Sequence, residues 1–86
     1  MTLQQLTYFL AAIEHGSFSA AADALHLAQP SLSEQVRRLE DELGSPLFVR
    51  AGRRLVLTEA GTALRPAAER VMAEAEQARE AVAEVT

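Results

Sequence analysis

Helical periodicity broken by glycine and proline constrains this chain most. Leu3, Leu6, Phe9, Leu10 and Ile13 recur at the spacing of one helix face. Thr2 and Gln5 form the S/T-x-x-E/Q pattern that closes a first helical turn, so a helix is predicted to begin at about residue 3. Gly16 supplies its stop. Ser19 is placed to cap a second, short helix containing Ala21, Ala22 and Leu25, whose run of alanines lets another helix lie close. After the break His26-Leu27-Ala28, a third helix is predicted from Gln29 to Leu43, with the apolar stripe Leu32, Val36, Leu39 and Leu43 facing inward. Pro30 falls in its first turn, where the backbone N–H has no helical partner in any case. Gly44 ends this helix and Ser45-Pro46 bars its continuation.

Two short apolar runs follow, Leu47-Phe48-Val49 and Leu55-Val56-Leu57, separated by Arg50-Ala51-Gly52-Arg53-Arg54. This pattern predicts a β-hairpin with an arginine-rich tip. Thr58 is a natural cap for a last helix, with Glu59 at its positive end. That helix runs close to residue 86 and is about 40 Å long at 1.5 Å per residue. Leu57, Gly61, Leu64, Ala68, Val71, Ala75, Ala78, Val82 and Val85 alternate by four and three, as in a coiled-coil seam. The seam has two readings. It either folds back on its own domain or pairs with a second chain, and the length of the helix against so small a domain favours the second. Pro66 removes one backbone hydrogen bond inside this helix and is expected to kink it.

A chain of 86 residues makes one small domain with a thin core. It has no cysteine, which excludes disulfides and thiolate metal sites and suits a reducing cytoplasm. The N-terminal segment lacks a basic start and carries Glu14, unlike a signal peptide, and no apolar run is long enough for a membrane span. The net charge of −4 argues against nucleic-acid binding, yet its distribution is uneven. All eight cationic side chains are arginines, and five lie between Arg37 and Arg54. His15 and His26 sit at helix ends without metal-ligand spacing. No nucleophile–base pattern, glycine-rich phosphate loop or convergent acid cluster suggests an enzyme, and no cofactor is expected.

Two helices joined by a three-residue turn, the second with a polar outer face, form the helix-turn-helix pattern. Pro30, Ser33, Glu34 and Arg37 point outward from the third helix, with Gln29 and Ser31 on the flanks. Small polar side chains at a helix start permit close approach to a DNA major groove, and glutamine can bond adenine twice. Arg53 and Arg54 at the hairpin tip can reach a minor groove, where a narrow A·T tract concentrates negative potential. Duller roles compete. Glu34 can simply pair with Arg38, Arg50 can be tied to Glu40 or Asp41, Arg54 can be only solvated, and Glu40-Asp41-Glu42 reads as a solvated helix face. Periodicity alone does not separate a DNA-binding domain from a protein-interaction module that docks through its last helix.

The stretch from Phe18 to Arg37, FSAAADALHLAQPSLSEQVR, continued by Arg38-Leu39-Glu40 and by LGSPLFVR from Leu43 to Arg50, closely resembles the LysR family of bacterial transcriptional regulators. The hairpin exit RRLVLTEAG, Arg53 to Gly61, does so too. The resemblance implies a mainly α fold: a winged helix-turn-helix of three helices and a two-stranded wing over residues 1–58, then a linker and dimerisation helix over 59–86. The helix-turn-helix falls at about 18–37 and the wing at about 47–57. It also implies a homodimer on double-stranded operator DNA in the bacterial cytoplasm, with a small-molecule effector bound by a further C-terminal domain, so the chain reads as an excised DNA-binding domain. Gln29, Pro30, Ser31 and Ser33 match the groove-facing start of the recognition helix. Arg53 matches the wing arginine, and Arg37 and Arg50 match basic positions near the DNA backbone. Leu64, Ala68, Val71, Ala75, Ala78 and Val82 fall in the implied dimer seam. Two departures stand out. Ala28 replaces a usual capping Ser or Thr, and Glu34 occupies a position that is often basic or polar.

Overall fold

The computed structural model describes residues 1–86. The elements run α1 Leu3–His15, α2 Phe18–Ala24, α3 Gln29–Leu43, β1 Phe48–Ala51, β2 Arg54–Leu57 and α4 Glu59–Ala83. The fold is the mainly helical winged helix-turn-helix with a long last helix that the sequence implies.

Local chemistry accounts for most boundaries. Thr2 Oγ1 accepts from the Gln5 N–H at 3.0 Å and Gln5 Oε1 accepts from the Thr2 N–H at 3.1 Å, a complete capping box. Gly16, at φ 81°, and Gly44, at φ 73°, take the left-handed conformation that closes α1 and α3. The cap of α2 is Ser17, not Ser19: Ser17 Oγ accepts from the Ala20 N–H at 3.0 Å. Gly16 turns the chain immediately before it, so Ser17 is the extended residue and Ser19 already lies inside the first turn. The turn between α2 and α3 passes through His26 at φ 58°, the one non-glycine residue in that region.

α1 is the central helix and buries two faces. Leu6 and Phe9 join Leu39, Leu47 and Ala68 in one cluster, while Ala11 joins Ala21, Ala22, Leu32 and Val36 in another. Phe48, at the base of the wing, packs against both. Its ring lies 5.5 Å from Phe9 and, edge to face, 5.6 Å from Phe18. Leu43 departs from the expected stripe and is 42% exposed. The cluster beneath the end of α3 is completed instead by Leu47, 1% exposed, which arrives after the Gly44–Pro46 turn.

The 4-3 seam of α4 is divided. Gly61 and Ala68 are buried, and the half-buried Leu64 and Met72 pack against the α1 cluster, so this part of the seam lies against its own chain. On the same helix Val71 is 41% and Val82 61% exposed. The division at residue 58 is therefore a change of secondary structure and not a break in packing. α4 continues as one helix through Pro66. A Cβ on Gly61 would fall 2.2 Å from the Leu47 carbonyl oxygen, so only glycine lets α4 approach the wing base this closely.

Candidate nucleic-acid interface

The wing is anchored by backbone hydrogen bonds from two sides. Thr58 donates its N–H to the Leu47 carbonyl at 3.0 Å and its hydroxyl to the Pro46 carbonyl at 2.7 Å, while Thr58 Oγ1 accepts from the Gly61 N–H at 3.0 Å. From α3, Glu40 Oε2 accepts from the Leu47 N–H at 2.6 Å and, more weakly, from the Phe48 N–H at 3.4 Å. The acidic run is thus not simply a solvated face. Glu40 fixes the wing, Asp41 lies 3.5 Å from Arg37, and Glu42 pairs with the amino terminus. Arg50 is tied to neither Glu40 nor Asp41.

The strands extend further into the arginine stretch than the apolar runs suggest. Phe48 pairs with Leu57, Val49 with Val56, Arg50 with Leu55 and Ala51 with Arg54. Only Gly52 and Arg53 form the turn, and Gly52 at φ 65° supplies the positive φ that a two-residue hairpin loop needs. Arg53 is therefore at the tip, while Arg50 and Arg54 project from strands. All three are exposed and form no ion pair.

Two adjoining concave surfaces bring the expected residues together. An open groove of about 440 Å³ is lined by Gln29, Pro30, Ser33, Glu34 and Arg37, with Phe18, Val36 and Glu40. Beside it a concavity of about 50 Å³ is lined by Gln29, Arg50, Arg53 and Arg54, with Ser17, Phe18, Ser19 and Leu55. Gln29 borders both. Ser31 is exposed but lines neither. Ser17 and Ser19 share this surface and escape a sequence reading, which sees Ser19 only as a cap and passes over Ser17. Gln29 Nε2 donates to Ser33 Oγ at 3.3 Å, and the Ser33 hydroxyl donates to the Gln29 carbonyl at 3.1 Å, so the two side chains are held as a pair. Ala28 offers α3 no side-chain cap.

Glu34 is the most heavily engaged side chain on this face. It accepts from Arg37 Nε at 3.2 Å, from Arg37 Nη2 at 3.0 Å and from Arg38 Nε at 3.3 Å. These bonds, first from Arg37 and then from Arg38, hold its carboxyl below the ordinary glutamate value, and Glu34 in turn raises the Arg37 guanidinium. Glu34 thus takes both arginines, where the sequence suggested Arg38 alone. No group of three or more His, Asp or Glu side chains is placed to hold a metal ion, and no helix is long and apolar enough to cross a membrane.

A helix-turn-helix whose second helix shares one concave surface with an arginine-bearing hairpin defines a winged helix-turn-helix domain. The model of the bacterial regulatory helix-turn-helix proteins of the lysR family matches residues 3–62, and the chain belongs to that family. An HTH-type transcriptional regulator of Bacillus subtilis, YwqM, is 44% identical over 85 residues, covering 99% of this chain and 29% of that protein. The RuBisCO operon transcriptional regulator of Allochromatium vinosum is 54% identical over 61 residues, covering 71% of this chain and 20% of its own length. The chain thus spans less than a third of either regulator. Among solved structures, the BenM DNA-binding domain in complex with catB site 1 DNA superposes with a TM-score of 0.94 at 36% identity, covering 99% of this chain and 96% of that one.

Proposed function

We infer that the chain binds double-stranded operator DNA sequence-specifically, as the DNA-reading part of a bacterial transcriptional regulator. The observation that carries this reading is the position of Gln29, which borders both the α3 groove and the concavity lined by Arg50, Arg53 and Arg54. One rigid surface then offers hydrogen-bonding side chains to base edges and cations to the backbone, the division of labour that specific recognition needs. In this proposal Gln29, Pro30, Ser31 and Ser33 enter the major groove, Arg53 reaches the flanking minor groove, and Arg50 and Arg54 meet phosphates. The similar BenM domain, solved in complex with catB site 1 DNA, supports a duplex as the partner.

A homodimer completes the proposal, held by the outer half of α4 through Val71, Ala75, Ala78 and Val82. The exposure of Val71 and Val82 supports it, because the chain leaves both apolar side chains largely open to solvent. Two-fold pairing sets two recognition helices on successive turns of one DNA face and favours a near-palindromic site. We propose action in the bacterial cytoplasm, without enzymatic activity, and assign recognition of any small-molecule effector to sequence outside the segment that this chain shares with its longer relatives.

Selection of bound sequences from a random duplex pool tests the reading. Enrichment of a two-fold related motif is expected. Recovery of the starting pool unchanged would rule out sequence-specific reading.

A further inference from the structure

We propose that Glu34 is a specificity-determining residue that acts as a brake: it withholds Arg37 and Arg38 from DNA phosphates and so suppresses sequence-independent binding. The inference rests on the DNA-binding function proposed above. Five arginines precede α4, and they divide into two groups. Arg50, Arg53 and Arg54 form no ion pair, whereas Arg37 and Arg38 both bond Glu34, and Arg37 also lies 3.5 Å from Asp41. Two carboxylates thus face two guanidiniums on the outer side of α3. With Glu40 lining the same groove, a phosphate approaching that side within a Debye length, about 10 Å at 0.1 M salt, meets no net positive charge.

The alternative is that Glu34 itself reads a base, accepting from a cytosine amino group. The hydrogen-bond inventory opposes this. A carboxylate offers about four acceptor positions. Oε1 already accepts from Arg37 Nη2 and Arg38 Nε, and Oε2 from Arg37 Nε and Nη2. Three N–H groups thus share the two oxygens, and a base amino group would have to compete with both arginines for them. Exposed pairs of this kind contribute little to folding stability. Their effect falls on what the arginines are free to touch, since Arg37 lines the same groove as Gln29, Pro30 and Ser33.

Duplex binding measured from 50 to 200 mM KCl for the wild type, Glu34→Gln, Arg37→Gln and the double variant tests the proposal, on a random-sequence duplex and on a selected one. Glu34→Gln is expected to raise affinity for the random duplex and lower the selected-to-random ratio. Its salt dependence steepens by about 0.9 for each arginine released, so with both released affinity falls about tenfold further across that salt range per protomer. Arg37→Gln is expected to cost more in the Glu34→Gln background than alone, the coupling that a direct hold on Arg37 requires. An unchanged random-duplex affinity and salt slope in Glu34→Gln, beside a wild type that binds DNA, overturns this inference alone. A Glu34→Gln loss confined to the selected duplex overturns it in favour of base contact. A wild type that binds no duplex overturns the proposed function and this inference with it.

Discussion

Replacing Gly61 with alanine opposes two effects of known sign. Alanine is favoured over glycine by about 1 kcal/mol in a helix interior and by at most that at Gly61, in the first turn of α4, so on an open surface the change would stabilise the helix. Here the new Cβ falls 2.2 Å from the Leu47 carbonyl oxygen and 2.8 Å from Leu57 Cδ2, where ordinary contact begins near 3.4 Å. The first of these atoms is backbone and already accepts the Thr58 N–H at 3.0 Å, so it cannot swing aside alone. α4 and the wing base must separate by about an ångström. Overpacking of this size costs about 1–3 kcal/mol, and a weakened Thr58–Leu47 hydrogen bond adds about 0.5–1.5 kcal/mol. After subtracting the helical gain, a net destabilisation of about 1–3 kcal/mol is expected. In a domain of this length each kcal/mol lowers Tm by roughly 4–8 °C. Thermal and urea unfolding followed by circular dichroism will show it. An alanine variant as stable as the wild type, or more stable, would refute the close approach of α4 to residue 47.

Glu40→Gln keeps the shape of the side chain but removes the charge that strengthens its bonds to the Leu47 and Phe48 N–H groups; a loss of about 1–2 kcal/mol is expected in urea unfolding, with faster amide exchange at those two positions. Unchanged exchange there would separate Glu40 from the wing. Val71→Glu places a charge in the proposed dimer contact and should weaken association by about 2 kcal/mol or more, read by sedimentation as a shift to monomer. A wild type that stays monomeric at high micromolar concentration, or a variant that dimerises equally well, would exclude the outer half of α4 as the interface.

What the sequence makes legible follows from how local each signal is. Capping boxes, closing glycines and helical stripes act within a few residues, so α1, α3 and the cap at Thr58 can be read directly. The α2 cap fails as a reading because two serines two residues apart both satisfy it, and only the left-handed turn at Gly16 selects Ser17. Leu43 is misplaced because a helical wheel continues the stripe past the point where the protein beneath it ends. Glu40 looks like one acid among three, and its partners, the N–H groups of residues 47 and 48, are invisible without the turn that returns them to α3. The seam of α4 carries one period but serves two surfaces. Leu64, Ala68 and Met72 lie over α1, while Val71 and Val82 are exposed. Of the proposed interface, Gln29, Ser33 and the wing arginines are suggested by the family resemblance, whereas the bidentate hold of Glu34 on Arg37 depends on rotamers that spacing does not fix.

The central claim is that the first turns of α3 read bases while the wing supplies attraction to the backbone, and Gln29→Ala tests it most directly. Affinities of the wild type and this variant are to be measured at one salt concentration on a selected duplex and on a random one. Loss of the paired hydrogen bonds that Gln29 can give an adenine should cost about 1–3 kcal/mol on the selected duplex and leave the random duplex nearly unaffected. Equal losses on both would contradict base reading by α3.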